Sequence, residues 1–157
     1  MEVKIRKATI EDLKVIQNLN LKLFEKEYEE YDKTLDTKWP FSKTGTDYFK
    51  KKITEENSFA IVAVVDNNII GYIVGGITEP DSYRTIKQFA EIENMLVLEE
   101  YRSMKIGAKL VEESFKWFRD KGIKRVKLSA FAHNKGAINF YRKNGFEDYY
   151  LTLERDI

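Results

Sequence analysis

The run Glu91-Ile-Glu-Asn-Met-Leu-Val-Leu-Glu-Glu-Tyr-Arg-Ser-Met-Lys-Ile-Gly-Ala108 constrains this chain more than any other stretch. It reads as an apolar strand, a short turn with Arg102, and a helix opening near Ile106-Gly107-Ala108. At such a junction, unpaired main-chain N–H groups and the positive end of the helix dipole point the same way, which makes a natural anion site. Two carboxylates lie just before it. Glu91 and Glu93 are two apart and share one face of a regular strand. Burying carboxylates on an apolar strand is costly unless they face a cleft or a partner. Burial also raises a carboxyl pKa towards the range of a general base. The plainer alternative is a sheet face on which both pair with lysines.

The rest of the chain supplies strands and helices for such a junction. Val3–Arg6 alternates as a strand. Thr9-Ile-Glu-Asp12 has the form of a capping box. Leu13, Ile16, Leu19, Leu23 and Phe24 then recur at helical spacing, so a helix is expected to about Glu29. Its end, Glu25 to Asp32, is dense in acids and tyrosines. That is either a solvated helix end or an acidic, aromatic lip for a cation. Thr34–Gly45 reads as a loop and Thr46–Glu55 as a second helix. Phe59–Val65 and Ile69–Ile77 read as strands joined at Asp66-Asn67-Asn68. Gly71, Gly75 and Gly76 mark bulges or close backbone approach.

After a turn at Thr78–Thr85 comes the Phe89–Leu98 strand. The helix that follows repeats Gly107, Leu110, Val111, Ser114, Phe115 and Phe118 against a charged opposite face. A strand at Lys124–Phe131, a helix at Asn134–Arg142 and a last strand at Phe146–Glu154 complete the pattern. The fold class expected is α+β: one domain over residues 1–157, with about four helices on a mixed, mostly antiparallel sheet.

Composition excludes several functions. Lys+Arg 27 against Asp+Glu 26 gives net charge +1, so there is no electrostatic case for nucleic-acid binding. With no cysteine and a single histidine, disulfides, thiol catalysis and multi-histidine metal sites are out of reach, and no metal is expected. No apolar run approaches membrane-spanning length and the N-terminus lacks a signal-peptide core, so a soluble, cytoplasmic protein is expected. Tyr149 and Tyr150 suit either a core or an interface, and a homodimer is the assembly considered.

The turn is neither a P-loop nor a dinucleotide-binding fingerprint, since neither glycine pattern is present. What remains is Arg102-Ser-Met-Lys-Ile-Gly-Ala, whose amides are suited to cradle a pyrophosphate while Arg102 and Lys105 add charge. Downstream, Asn134 and Tyr141 stand seven apart, two turns along one helical face. A tyrosine hydroxyl there is able to donate a proton or bind an anion. The alternative is an N-cap and a core tyrosine.

Taken together, the strand with its glutamates, the basic turn and the second motif resemble the GNAT family of acetyl-CoA-dependent N-acetyltransferases. The match is close from Phe89 to Phe146 and looser before it. Tyr101-Arg102-Ser103-Met104-Lys105-Ile106-Gly107-Ala108 is similar to the family's Arg/Gln-x-x-Gly-x-Gly/Ala pyrophosphate loop. Asn134-x-x-Ala137-x-x-x-Tyr141, followed by Asn-Gly-Phe, is similar to its second motif. Met95-Leu96-Val97 is similar to the strand that pairs with pantetheine, beside splayed strands. Lys105 departs from the pattern by replacing the first glycine of the loop, which requires a negative φ or tolerated strain.

The resemblance implies acetyl transfer from acetyl-CoA to a primary amine, with the acetyl-CoA held by those loop, strand and second-motif residues. Glu93 stands where the polyamine members carry an acid, and Glu91 where the histone-type members carry theirs. Tyr141 is implied as the acid that protonates the CoA thiolate, and a main-chain N–H near Val97 as the oxyanion donor. The acceptor expected is a small polyamine-like amine. A protein N-terminal or lysine amine, or a catalytically silent acyl-CoA-binding module, are the competing readings.

Overall fold

A computed structural model describes residues 1–157. Its sheet has five strands in the order β1 (Lys4–Lys7), β2 (Ser58–Val65), β3 (Asn68–Ile77), β4 (Phe89–Val97) and β5 (Arg125–Lys127). The first three pairings are antiparallel and the last is parallel. The antiparallel hairpin β2–β3 turns on Asp66 and Asn67, both at positive φ (47° and 64°), the geometry that matches strand twist. The parallel pair needs a crossover, and the helix α3 (Ile106–Asp120) supplies it.

Helices cover both faces, so the central strands are apolar on both sides. Phe59, Ile61 and Ala63 of β2 pack with Ile106, Leu110 and Phe118 of α3. Ala60 and Val62, the intervening residues, pack with Ile16, Leu19 and Phe49 from α1 (Leu13–Glu30) and α2 (Lys43–Thr54). The N-terminus of α1 is held by Asp12, which accepts from the Thr9 amide at 2.8 Å and pairs with Arg6 at 2.7 Å. A fourth helix, α4 (Lys135–Lys143), follows β5.

One irregularity in β4 positions the site. Val74 opposes Asn94 and Gly75 opposes Ile92, so Glu93 is an extra residue, a β-bulge. The alternation of side chains slips there. Ile92 belongs to the α3-side core and Leu96 to the opposite one, although an unbroken strand would put them on the same face. The slip lets Glu93 and Asn94, consecutive in sequence, both turn towards α2. Gly75 is required at this crossing, because a Cβ on it would stand 2.1 Å from the Glu91 carbonyl oxygen.

The structure differs from the sequence reading in three segments. Thr34–Gly45 is not all loop: a helical turn spans Trp39–Phe41, and α2 starts at Lys43 because Ser42 caps it, accepting from the Gly45 amide at 3.0 Å. The strand expected at Lys124–Phe131 is paired only over Arg125–Lys127. The strand expected at Phe146–Glu154 does not form. Alternation alone does not make a strand; it needs a partner edge, and β5 offers no ladder beyond Lys127. Asp148 is instead held to α4 by Arg142 at 2.5 Å, and Tyr150 and Leu153 are 83% exposed. No helix is long and apolar enough to cross a membrane.

Candidate active site

The β4–β5 ladder ends at Glu91 opposite Lys127, and beyond that pair the strands part. This gap is the centre of the site. The Leu98 amide donates to Ile70 on β3 at 2.9 Å, so the alternating antiparallel pattern turns the main chain of Val97 the other way, into the gap. The Val97 carbonyl does point there, and accepts from Arg102 Nε at 3.1 Å. Met95 and Val97 side chains lie on the α3 side, whereas the Leu96 side chain is buried in the core under α1 and α2. Leu96 is therefore a structural residue whose side chain is turned away from any ligand in the gap.

The turn after β4 ends in an open helix N-terminus. Ser103 and Lys105 both have positive φ, 69° and 60°. Lys105 is thus left-handed at the place where the family pattern has glycine, and the backbone bend is kept without that glycine. The first helical bond of α3 runs from the Lys109 amide to the Lys105 carbonyl at 3.1 Å. The amides of Ile106, Gly107 and Ala108 are left without intrahelical acceptors. Ile106 itself is buried in the core, while Met104 is half-exposed on the turn. Gly107 is where α4 crosses, since a Cβ there would meet the Phe140 ring at 3.2 Å and Met95 at 3.7 Å. A basic, amide-lined concavity of this kind suits a diphosphate.

Helix α4 brings Tyr141 to the same crossing. Asn134 caps the helix, its side-chain oxygen accepting from the Ala137 amide at 3.1 Å. The Tyr141 ring packs edge-on against Phe140 and Phe146. Burial pushes its phenol up to about 12, and its hydroxyl has no hydrogen-bond partner within the protein.

On the α1–α2 side of the gap a polar chain runs through the core, one that the sequence reading did not anticipate. Fully buried Asn20 donates to the Tyr72 hydroxyl at 2.9 Å, and Tyr72 donates to Asn94 Oδ1 at 2.6 Å. Asn94 Nδ2 donates to the Tyr48 hydroxyl at 3.2 Å, and Tyr48 donates to Glu93 Oε1 at 3.1 Å. Lys52 closes the chain on Glu93 Oε2. Burial raises the phenols of both Tyr48 and Tyr72, and for Tyr48 the Glu93 charge adds to it. Asn20 Oδ1 is buried with no partner. Asn94 and Tyr72 were visible as polar groups inside apolar strands, and that was the signal available.

Glu91 faces Lys127 at a loose 3.9 Å, and burial raises its carboxyl, with Lys127 opposing. So the two glutamates do lie on the α1–α2 side together, but the bulge and two lysines set their surroundings. Glu27 lies two turns after buried Asn20 on α1 and is itself half-buried, on the helix face that meets the sheet. Tyr31, from the end of α1, stacks on Phe131, beyond β5, with ring centroids 5.2 Å apart. This pair joins α1 to the far side of the gap. No group of three His, Cys, Asp or Glu side chains is placed to hold a metal.

A strand that parts from its neighbour beside an open helix N-terminus is the arrangement that the resemblance to the acetyl-CoA-dependent family implies, and the comparisons bear on that family directly. The model of the acetyltransferase (GNAT) family matches residues 16–146. An N-alpha-acetyltransferase of Sulfurisphaera tokodaii is 26% identical over 152 residues, covering 94% of this chain and 81% of the relative. The crystal structure of a PaiA N-acetyltransferase from Thermoplasma acidophilum in complex with coenzyme A is 27% identical, with a TM-score of 0.75 over 94% of this chain and 91% of that one. A mutant of the BH1408 protein from Bacillus halodurans shares the fold, with a TM-score of 0.85 at 22% identity over 98% and 99% of the two chains. The chain belongs to the GNAT family. It is an N-acetyltransferase whose acyl donor is acetyl-CoA.

Proposed function

We propose that the acceptor is the primary amine of a small, cationic, polyamine-like molecule. The observation that carries this reading is the set of carboxylates on the α1–α2 side of the gap: Glu91 and Glu93 on β4, and half-buried Glu27 on the sheet-facing side of α1, one turn before the Tyr31–Phe131 stack. Glu93 is paired with Lys52 and Glu91 only loosely with Lys127, so Glu27 and Glu91 leave negative charge that favours a cationic ligand. The aromatic pair narrows the approach to something slender.

The reaction joins amine nitrogen to the thioester carbonyl carbon and breaks the carbon–sulfur bond. Amides of Ile106, Gly107 and Ala108, with Arg102 and Lys105, hold the diphosphate, and the main chain of Met95 and Val97 aligns the pantetheine arm. The Val97 N–H, turned into the gap, stabilises the carbonyl oxygen in this reading as it gains charge. Tyr141 gives its proton to the departing thiolate. Both Glu93 oxygens are engaged, one by Lys52 and the other by Tyr48. An alkylammonium has a pKa near ~10.4, so presenting it neutral at pH 7 costs roughly 4–5 kcal/mol. The rest of the acceleration comes from holding amine and thioester together.

A protein N-terminal amine is the second reading, favoured by the name of the Sulfurisphaera relative. A peptide would have to cross the mouth where Tyr31 and Phe131 meet. The test is thiol release from acetyl-CoA with spermidine, diamines, lysine, aminoglycosides and short peptides. Turnover confined to polyamines and diamines is expected. Turnover confined to peptides moves the assignment to the second reading, and tight acetyl-CoA binding with no thiol release from any acceptor supports a silent binding module.

A further inference from the structure

We propose that Glu27, on α1, and neither glutamate of β4, is the base that takes the proton from the acceptor amine. This rests on the amine-acetylation reading above and assigns a group within the same site.

Ile16, Asn20, Leu23, Glu27 and Tyr31 recur at intervals of three and four and form one stripe of α1. The stripe faces the sheet: Ile16 and Asn20 are fully buried, and Asn20 reaches Tyr72. Glu27 comes two turns later, between that buried contact and the Tyr31–Phe131 stack. Its charge acts on both Tyr72 and Tyr31. It is half-buried, yet it makes no ion pair and no hydrogen bond. Glu93 has Lys52 and Tyr48, and Glu91 has Lys127. A half-buried carboxylate without a partner is costly, and a bound ammonium is the group that would offset the cost.

The groups that face it are few. From β3 there is Tyr72, and from α1 itself Tyr31 and Lys26. Glu93 of β4 and Lys52 of α2 neutralise one another. Burial pushes the Glu27 carboxyl up to about 7, with Lys26 opposing, and a carboxylate near neutrality is a far better proton acceptor than an ordinary one. In the step proposed, one ammonium proton passes to a Glu27 oxygen, which frees the lone pair with which nitrogen bonds to the carbonyl carbon. As the carbon–sulfur bond breaks, the thiolate leaves with the Tyr141 proton, and the nitrogen gives its second proton back to Tyr141. Glu27 then releases its proton to solvent.

The test is the pH dependence of kcat/KM for spermidine, followed by thiol release, in the wild type, Glu27→Gln and Glu27→Asp. An enzyme that pairs ionised Glu27 with the ammonium form rises with pH and levels off near 7. Glu27→Gln must wait for the free amine, so its activity should keep rising towards ~10. Its defect should be about 10²–10³-fold at pH 7, shrinking steadily towards pH 10. Glu27→Asp should recover part of the loss, with acetyl-CoA affinity unchanged in both variants. A Glu27→Gln profile that still levels off near 7, or a rise in KM at unchanged kcat, overturns the proposal and leaves the acetyl-transfer reading standing. A wild type that neither binds nor acetylates any small amine overturns both.

Discussion

The two walls of the β4–β5 gap are made of different material. The donor wall is mostly backbone: a left-handed turn, the three open amides of α3, and the main chain of Val97. The acceptor wall is side chain: a chain of polar groups from Asn20 to Lys52, partly sunk in the core. A backbone site presents the same atoms whatever side chains carry it, so it tolerates substitution. A side-chain network fails when one member is removed, because its neighbours lose their partners in a medium where unpaired polar groups are costly.

The largest effect should come from the one donor-wall side chain to which the proposed reaction gives a chemical step. Tyr141→Phe removes the proton for the thiolate and should lower kcat by about 10²–10⁴-fold. Acetyl-CoA affinity, measured by calorimetry, should stay the same, because the ring and its packing on Phe140 and Phe146 remain. Unchanged turnover would remove Tyr141 as the acid.

Next comes the middle of the acceptor wall. Tyr72→Phe deletes one hydroxyl and leaves two fully or partly buried groups, Asn20 Nδ2 and Asn94 Oδ1, with only the long bond between them at 3.4 Å. Denaturant unfolding should show a loss of about 1–3 kcal/mol, and a variant as stable as the wild type would mean that the network is not a unit. Tyr72→Phe with Asn20→Leu should cost less than the sum of the two single changes, since both remove the same Asn20–Tyr72 bond.

Glu27 adds a pH dependence to the same wall. Burial pushes its carboxyl up to about 7 in the folded chain, above the ordinary 4.5. Between those values the folded chain holds a proton that the unfolded chain releases. Stability from this group is therefore greatest below about 4.5 and falls as pH rises to 7. Glu27→Gln abolishes the fall, so its melting temperature should gain on the wild type between pH 4.5 and 8, by roughly 2–4 °C. Parallel melting curves at the two pH values would show that Glu27 is solvated.

The same contrast explains what was legible in the sequence. The donor wall is local: strand, turn, helix entry and Asn134-to-Tyr141 helix are consecutive patterns, and Arg102 and Gly107 could be placed from spacing alone. The acceptor wall is not. Asn20, Tyr48, Tyr72 and Asn94 come from four elements, and no spacing links them. Glu91 and Glu93 were expected on one face by strand periodicity. They do share it, but only the Glu93 bulge, set by Gly75 against Glu91 across the sheet, brings Asn94 there as well. The Phe146–Glu154 strand was misjudged because alternation is a property of the segment, whereas pairing belongs to its neighbour.

The smallest effect tests whether the donor wall is truly indifferent to its side chains. Lys105 sits at φ 60°, a conformation that disfavours any residue with a Cβ by about 1 kcal/mol. Lys105→Gly relieves that strain but loosens the unfolded chain, so unfolding should show a gain of at most about 1 kcal/mol. The same change removes one cation from the diphosphate cradle while leaving the amides of Ile106, Gly107 and Ala108 in place. If backbone carries the binding, acetyl-CoA affinity should fall only a few-fold, and the loss should vanish at high salt, where exposed charges are screened. A loss of a hundredfold or more, persisting at high salt, would mean that the lysine is itself part of the cradle and that the two walls are less different than their construction implies.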